Sequence, residues 1–353
     1  MISKKRILVA PLNWGLGHAS RCIPIINELL NHDFEVIITA NGRSFHLLKQ
    51  EFPELEFVKL EGQNIKYPNK IPLSVSIFFQ IPKILYSIYR EHKNLKKTIK
   101  KCNLDGVISD NRYGLFNKEI PTIFITHQLQ IQSPFFKKIL LRINYYFINK
   151  FSICWVMDDE ELNLAGELSK PNIFPENYKY IGVHSRLKLT KKERKYKLCF
   201  ILSGPEPKRT YFEKMVIQSV KEIKEEIVII LGKIEEKNII TKNNLTIISS
   251  SNTEEINKYI SESEIIISRP GYTTIMDLQK LQAKAIFIPT PGQTEQEYLA
   301  KYLKQKKVCF YQKQKEFNLK KAINISKNYS GFRTNMTENK LNVEMFFSFF
   351  KKK

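Results

Sequence analysis

A histidine behind two glycines, an aspartate after an apolar run, and several loops rich in hydroxyl and amide groups are the parts of this 353-residue chain equipped for chemistry. The first is Asn13-Trp14-Gly15-Leu16-Gly17-His18-Ala19-Ser20-Arg21. Gly15 and Gly17 allow a tight turn and let a ligand approach backbone N–H groups. The helix that follows offers a positive N-terminus to an anion or a developing charge. His18 opens that helix, and its near-neutral imidazole suits a general base. The pattern is not a dinucleotide fingerprint: the third glycine would fall at Ser20, and no acidic residue follows the second strand, which ends Thr39-Ala40-Asn41. No G-K-[ST] follows either, so it is not a P-loop. Asp110, in Ser109-Asp110-Asn111-Arg112-Tyr113-Gly114, can pair with His18 and fix its tautomer, contact an acceptor directly, or cap a helix. His127, in Thr126-His127-Gln128, reads as a packed or capping residue.

Three further loops lie in the second half. Ser203-Gly204-Pro205-Glu206-Pro207 can present backbone amides to a diphosphate, limited by two prolines that lack N–H groups. Ser268-Arg269-Pro270-Gly271-Tyr272-Thr273-Thr274-Ile275-Met276-Asp277 combines a glycine, two hydroxyls and a helix beginning near Thr273, an anion cradle. Asp277, one turn into that helix, can accept hydrogen bonds from a ribose diol. Pro289-Thr290-Pro291-Gly292-Gln293-Thr294-Glu295-Gln296 feeds another helix, and Gln293, Glu295 and Gln296 can hold sugar hydroxyls.

These loops need a scaffold, and the chain spells one out. Apolar runs at 5–12, 34–40, 57–60, 104–108 and 121–125 alternate with amphipathic segments such as 22–31 and 42–50. The alternation breaks over 158–195 and restarts with runs at 197–202, 226–231, 245–249, 264–268 and 285–289. Near-continuous apolar strands between amphipathic helices mean parallel sheets covered on both faces, an α/β fold. Ligands in such sheets bind beyond the carboxyl ends of the strands, where every loop above falls. The expected domains are 1–185, 186–335 and 336–353, the last a C-terminal helix and basic tail.

The hydrophobic fraction of 42% is that of a folded protein. Five scattered cysteines with no C-x-x-C pair exclude a disulfide framework and fit a reducing cytoplasm. Asp158-Asp159-Glu160-Glu161 reads as acids opening a helix, and no metal or cofactor is expected. The N-terminal apolar run is read as a first strand rather than a signal peptide, and no 18-residue apolar stretch predicts a transmembrane helix. The net charge of +22 fits attraction to a polyanion. The lysines are not interleaved with aromatics in a nucleic-acid-binding pattern.

Two segments bear on a membrane surface. Ile77, Phe78, Ile81, Ile84, Leu85 and Ile88 form one helical stripe near Lys83, Arg90, Lys93, Lys96 and Lys97. Phe135, Phe136, Ile139, Leu140, Ile143 and Phe147 form another, with Lys137, Lys138, Arg142 and Lys150. Each alone reads as a core helix. Together with the charge they predict peripheral association with an anionic bilayer.

On its glycine-loop and 268–300 motifs the sequence resembles the GT-B glycosyltransferases, family 28 above all. G-L-G-H-A-S-R-C also resembles nucleotide-sugar hydrolases of the same superfamily. The resemblance implies two Rossmann-like domains facing across a cleft, with His18 and the 268–277 loop on opposite walls. It implies a nucleotide-sugar donor, with UDP expected, bound mainly by 186–335, and inverting, metal-independent transfer to a hydroxyl acceptor on 1–185. The charge and the two apolar–basic segments point to a lipid-linked or envelope acceptor, and with the cysteine usage to an enzyme in the cytoplasm, peripheral to the inner face of the membrane. Asp277 matches the family's ribose-binding acid, usually Glu, and Glu295-Gln296 matches its sugar-reading Asp-Gln pair. Two departures stand out: Leu299 replaces an asparagine, and S-G-P-E-P replaces a glycine-rich phosphate loop. A hydrolase or epimerase acting on a nucleotide sugar is the competing reading.

Overall fold

The computed structural model describes residues 4–60, 73–131, 136–171, 177–233, 238–332 and 349–350, with the side chains of 73–78 excepted. The chain forms two compact units, one running to His184 and taking in the C-terminal end, the other spanning Ser185–Asn335.

Unit 1 comprises β1 (Arg6–Pro11), α1 (Leu16–Asn31), β2 (Glu35–Ile38), α2 (Gly42–Glu51), β3 (Glu56–Phe57), α3 (Leu73–Cys102), β4 (Gly106–Asp110), β5 (Thr122–Thr126), α4 (Lys137–Ile148), β6 (Ile153–Val156) and β7 (Tyr178–Tyr180). Its sheet has the order β3-β2-β1-β4-β5-β6-β7, every pairing parallel. β4 and β5 are buried along their whole length, as apolar strands covered on both faces must be. Strand order reverses between β1 and β4, whose register runs from Ile7↔Gly106 to Pro11↔Asp110. A crevice opens at such a reversal, and the glycine loop and Asp110 both emerge there.

Unit 2 repeats the plan with β8 (Tyr196–Ile201), α5 (Lys208–Ser219), β9 (Ile227–Ile230), β10 (Ile239–Lys242), β11 (Leu245–Ile248), α6 (Thr253–Ser261), β12 (Ser263–Ser268), α7 (Tyr272–Lys280), β13 (Ala285–Phe287), α8 (Thr294–Gln305), β14 (Phe310–Tyr311) and α9 (Leu319–Ser326). The order is β10-β11-β9-β8-β12-β13-β14, parallel except for the β10–β11 hairpin. Its reversal falls between β8 and β12, beside Gly204 and Gly271.

The end of the chain locks into unit 1. Phe350 is 2% exposed. Its ring fills the space where a Cβ on Gly106 would stand and meets Phe34 edge-on at 6.1 Å, while its carbonyl accepts from Lys5 Nζ at 2.6 Å. Phe350→Ala empties this socket and is expected to cost about 3–5 kcal/mol, measured by denaturant unfolding.

Three expectations change. The acidic run at 158–161 directly follows β6 and opens no helix: Asp158 is buried and accepts from Leu164 N, Ala165 N and Ser169 Oγ at 3.0, 3.0 and 2.6 Å. A buried carboxylate satisfied this way organises a turn. The break over 158–195 is not free of strands, since β7 within it completes the unit 1 sheet. On α3, Ile88 is buried, Ile81 and Ile84 are half-buried and Leu85 is exposed. The outward stripe is instead Phe79, Pro82, Tyr86 and Tyr89, because the core claims the aliphatic face that continues through Glu91, Leu95 and Ile99. The Ile77 and Phe78 side chains lie outside the described residues. On α4, Phe147 is buried and Leu140 and Ile143 are half-buried, while Ile139, and Phe136 just before the helix, are exposed. Phe135 lies outside the described residues.

Candidate active site

The unit 1 site is built by one turn of helix set against one strand end. Gly15 is the N-cap of α1 at φ 80°, a left-handed conformation that a side chain disfavours. Among the described residues no side chain of the N-cap closes that helix, and no acid lies in its first turn to offset the positive end of its dipole. His18 sits in this first turn, and Arg21 follows three residues later on the same face. Both reach Asp110 at the end of β4: His18 Nδ1 lies 3.1 Å from Asp110 Oδ2, and Arg21 Nε donates to the same oxygen at 2.8 Å. Arg21 Nη2 pairs with Asp110 Oδ1. The guanidinium also approaches His127 Nδ1 through Nη1 and His18 Nδ1 through Nη2, both at 2.9 Å.

The charges are dry. Asp110 is fully buried, Arg21 is 2% exposed and the His18 side chain 14%. Burial alone would raise the Asp110 carboxyl, but the Arg21 guanidinium and His18 outweigh it and hold it well below the usual carboxylate range. The His18 imidazole is pushed down, first by burial and then by Arg21 and His127, against the pull of Asp110. It is therefore neutral near pH 7, the form a base needs.

From sequence Arg21 has no assigned role and His127 reads as a packed or capping residue; the structure draws both into the cluster with His18 and Asp110. The G-x-G-H-x-x-R spacing carried the Arg21 signal, because three residues separate neighbours on a helix. His127 had none, since its place depends on the β4–β5 pairing. Arg112, from the same motif as Asp110, turns the other way. It forms a buried pair with Glu91 of α3 at 2.6 Å and donates to the Leu60 carbonyl, and so has a structural task.

In unit 2, Gly204 follows β8 at φ 112°, and a Cβ there would stand 3.7 Å from Thr290 Oγ1. The Thr290 and Ser268 hydroxyls are buried with no hydrogen-bond partner among the described residues, so each has a need for one that these residues do not meet. Gly271 caps α7, again without a side-chain cap. The strand ends of β8, β12 and β13 thus converge on two orphan hydroxyls and a helix start with no side-chain cap. Nothing in its motif marks Thr290; its isolation is visible only once the β13 loop folds over Gly204. Ser203 is exposed, Gly271, Thr273, Thr274, Gln293 and Glu295 are half-exposed, and Tyr272 is buried.

Two residues expected at the donor are otherwise engaged. Arg269 is 1% exposed. It donates to the Ile288 and Pro289 carbonyls at 2.7 and 3.0 Å and to Gln314 Oε1 at 2.6 Å, and it lies 4.1 Å over the Phe212 ring. Burial lowers its pKa to about 9. Its guanidinium pins the β13 loop. Gln296 Oε1 accepts from Thr290 N at 2.8 Å and so also shapes that loop. Asp277, half-buried on α7, accepts from Ser185 Oγ at 2.5 Å, and burial pushes its carboxyl up to about 6 against Arg186 and Ser185.

Residues 198–348 match the glycosyltransferase family 28 C-terminal domain. Sequence comparison with curated proteins finds no match. Among solved structures, MurG of Acinetobacter baumannii is similar with a TM-score of 0.53 and 16% identity over 93% of each chain. The calicheamicin glycosyltransferase CalG4 is similar with a TM-score of 0.65 and 9% identity over 99% of this chain and 98% of its own. The spinosyn rhamnosyltransferase SpnG complexed with thymidine diphosphate gives 0.63 and 12% over 93% of each chain. At these identities the structural likeness shows the fold, that of the GT-B glycosyltransferases, and the family match shows that residues 198–348 carry a glycosyltransferase family 28 C-terminal domain.

Proposed function

We propose that the chain transfers a sugar, with inversion and without a metal ion, from a nucleoside diphosphate sugar, UDP in the first instance, to a hydroxyl of a lipid-linked or envelope acceptor. The observation that carries the donor half is the pair of orphan buried hydroxyls, Ser268 and Thr290, beside the uncapped start of α7. Such a cradle suits a diphosphate, and the thymidine diphosphate complex of SpnG is a relative with a ligand of that class. In unit 1, Asp110 accepts the Nδ1–H of His18 and leaves Nε2 bare. His18 Nε2 takes the acceptor hydroxyl proton, the oxygen bonds the anomeric carbon, and the bond from that carbon to the diphosphate breaks. The electron pair leaves with the diphosphate, whose charge is met by helix N-termini and backbone N–H groups. The decisive experiment is donor turnover with and without lipid-linked hydroxyl acceptors. Acceptor-dependent release of nucleoside diphosphate supports transfer; equal turnover without acceptor replaces it with hydrolysis.

Asp277 is assigned to the ribose. A carboxylate accepts from a diol only when ionised, and its pKa of about 6 puts that change in reach. Nucleotide affinity is expected to be full above pH 6 and to fall by up to about tenfold per unit below it. Asp277→Asn should bind more weakly with that dependence removed. Calorimetric titrations from pH 5 to 8 on both proteins check this, the difference between them cancelling the nucleotide's own titration.

The membrane reading rests on the exposed faces of α3 and α4. Phe79, Tyr86, Tyr89, Ile139 and Tyr146 are exposed among Lys83, Arg90, Lys93, Lys137, Lys138 and Arg142. His92 of α3 stacks on Phe116 at 4.1 Å, and Lys150 after α4 lies over both Phe116 and Tyr146, so the two faces adjoin. Among the described residues no helix is long and apolar enough to cross a membrane. Flotation with anionic vesicles at low salt is expected to capture the protein and high salt to release it; no capture at low salt refutes the assignment.

A further inference from the structure

We propose that Arg21 is a positioning residue of the transfer reaction, its guanidinium holding Asp110 and the His18 ring in register and keeping the imidazole neutral between turnovers. This rests on the reading of His18 as the base. From one buried site the planar fork of Arg21 meets both Asp110 oxygens, His127 Nδ1 and His18 Nδ1. At His18 Nδ1 only one contact is a hydrogen bond at a time. Protonated, it donates to Asp110; bare, it accepts from Arg21, whose hydrogens are permanent. The base tautomer and the resting tautomer each have a partner ready.

The third state, the imidazolium, is the one the surroundings oppose. Among the described residues the groups that act on the ring are Asp110 from β4, Arg21 from α1 and His127 after β5, while Cys22 of α1 lies against Asp110, its thiol 3.9 Å from Oδ2. Asp110 is the single anion among them, and its charge is already matched by a two-point pair with Arg21. An unaccompanied histidine–aspartate pair would favour the imidazolium; a guanidinium 2.9 Å from Nδ1 removes that advantage. The proton taken from the acceptor is therefore released rather than held, and His18 keeps its basic form as the pH falls. Lysine cannot do the same work, because an ammonium is a point charge that does not span two carboxylate oxygens.

The test compares wild type, Arg21→Gln and Arg21→Lys in two ways: kcat against pH, and the pH titration of the His18 ring nitrogens by NMR in the nucleotide-free protein. In Arg21→Gln both curves are expected to move to higher pH together, with the kcat ratio between pH 8 and pH 5.5 rising about tenfold. In Arg21→Lys the curves should return toward wild type while kcat stays reduced. The NMR titration needs no turnover, so it reports on Arg21 even where the transferase reading fails. A His18 titration that is the same in wild type and Arg21→Gln overturns the proposal, as does a loss of kcat equal at every pH. Where Arg21→Gln does not fold, Arg21→Lys decides: a lowered kcat with a His18 midpoint still below the ordinary 6.5 of histidine supports the proposal, and a kcat equal to wild type, or a wild-type midpoint at or above 6.5, overturns it.

Discussion

His18→Ala is expected to lower kcat by about 10²–10⁴-fold while leaving nucleoside diphosphate affinity nearly unchanged. The imidazole belongs to unit 1, and the orphan hydroxyls assigned to the diphosphate belong to unit 2, so the loss should fall on the chemical step. Its removal leaves an open space above Asp110 and Arg21, whose mutual pair survives, and the fold should hold. Single-turnover kinetics with saturating donor, alongside calorimetric nucleotide binding, separate the two quantities. A kcat within a few-fold of wild type would take His18 out of the reaction. An equal loss in binding would make it a donor contact instead.

Asp110→Ala should instead strike the fold, by about 3–5 kcal/mol, a large part of the roughly 5–15 kcal/mol that holds a domain together. The reason is the partner left behind. Arg21 is 2% exposed and cannot shed its charge, so removing the carboxylate strands a buried cation. Asp110→Asn should cost less, since its amide oxygen still accepts from Arg21. The same pair governs acid stability. The Asp110 carboxyl is held below its ordinary value of about 3.9, so the unfolded chain binds the proton first as the pH drops. The stabilisation is complete above about pH 5 and is lost as the pH falls through 4 toward the depressed folded value. Denaturant unfolding from pH 2 to 6 should show that acid slope in the wild type and a flatter one in Asp110→Asn. Parallel slopes would mean that the pair contributes little.

Local pattern was enough for much of this architecture. Apolar runs such as 104–108 and 121–125 announce covered parallel strands because a strand buried on both faces has no polar positions to spend. The glycine loop and the 268–277 loop were legible for a related reason: a tight turn, a φ beyond the reach of ordinary residues and a helix start all leave marks within a few neighbouring positions. Short or edge strands left fainter marks. β7 and β10 are three and four residues long, and their pairing energy comes from a neighbour distant in sequence.

The residues of the chain alone named His18 and Asp110 and set them after two different strands. Only folding decided what they do to each other. The β1–β4 pairing brings Pro11 opposite Asp110, and from that register follow the 3.1 Å approach of His18 and the capture of both carboxylate oxygens by Arg21. The same holds in unit 2. Arg269 stands in a loop that reads as an anion site, yet its guanidinium turns inward to two carbonyls and Phe212, while Thr290 is left beside Gly204 with an orphan hydroxyl. Residue type sets which chemistry is possible. Direction, burial and competition for hydrogen bonds belong to the packed chain, because each depends on atoms that spacing along the sequence does not bring together.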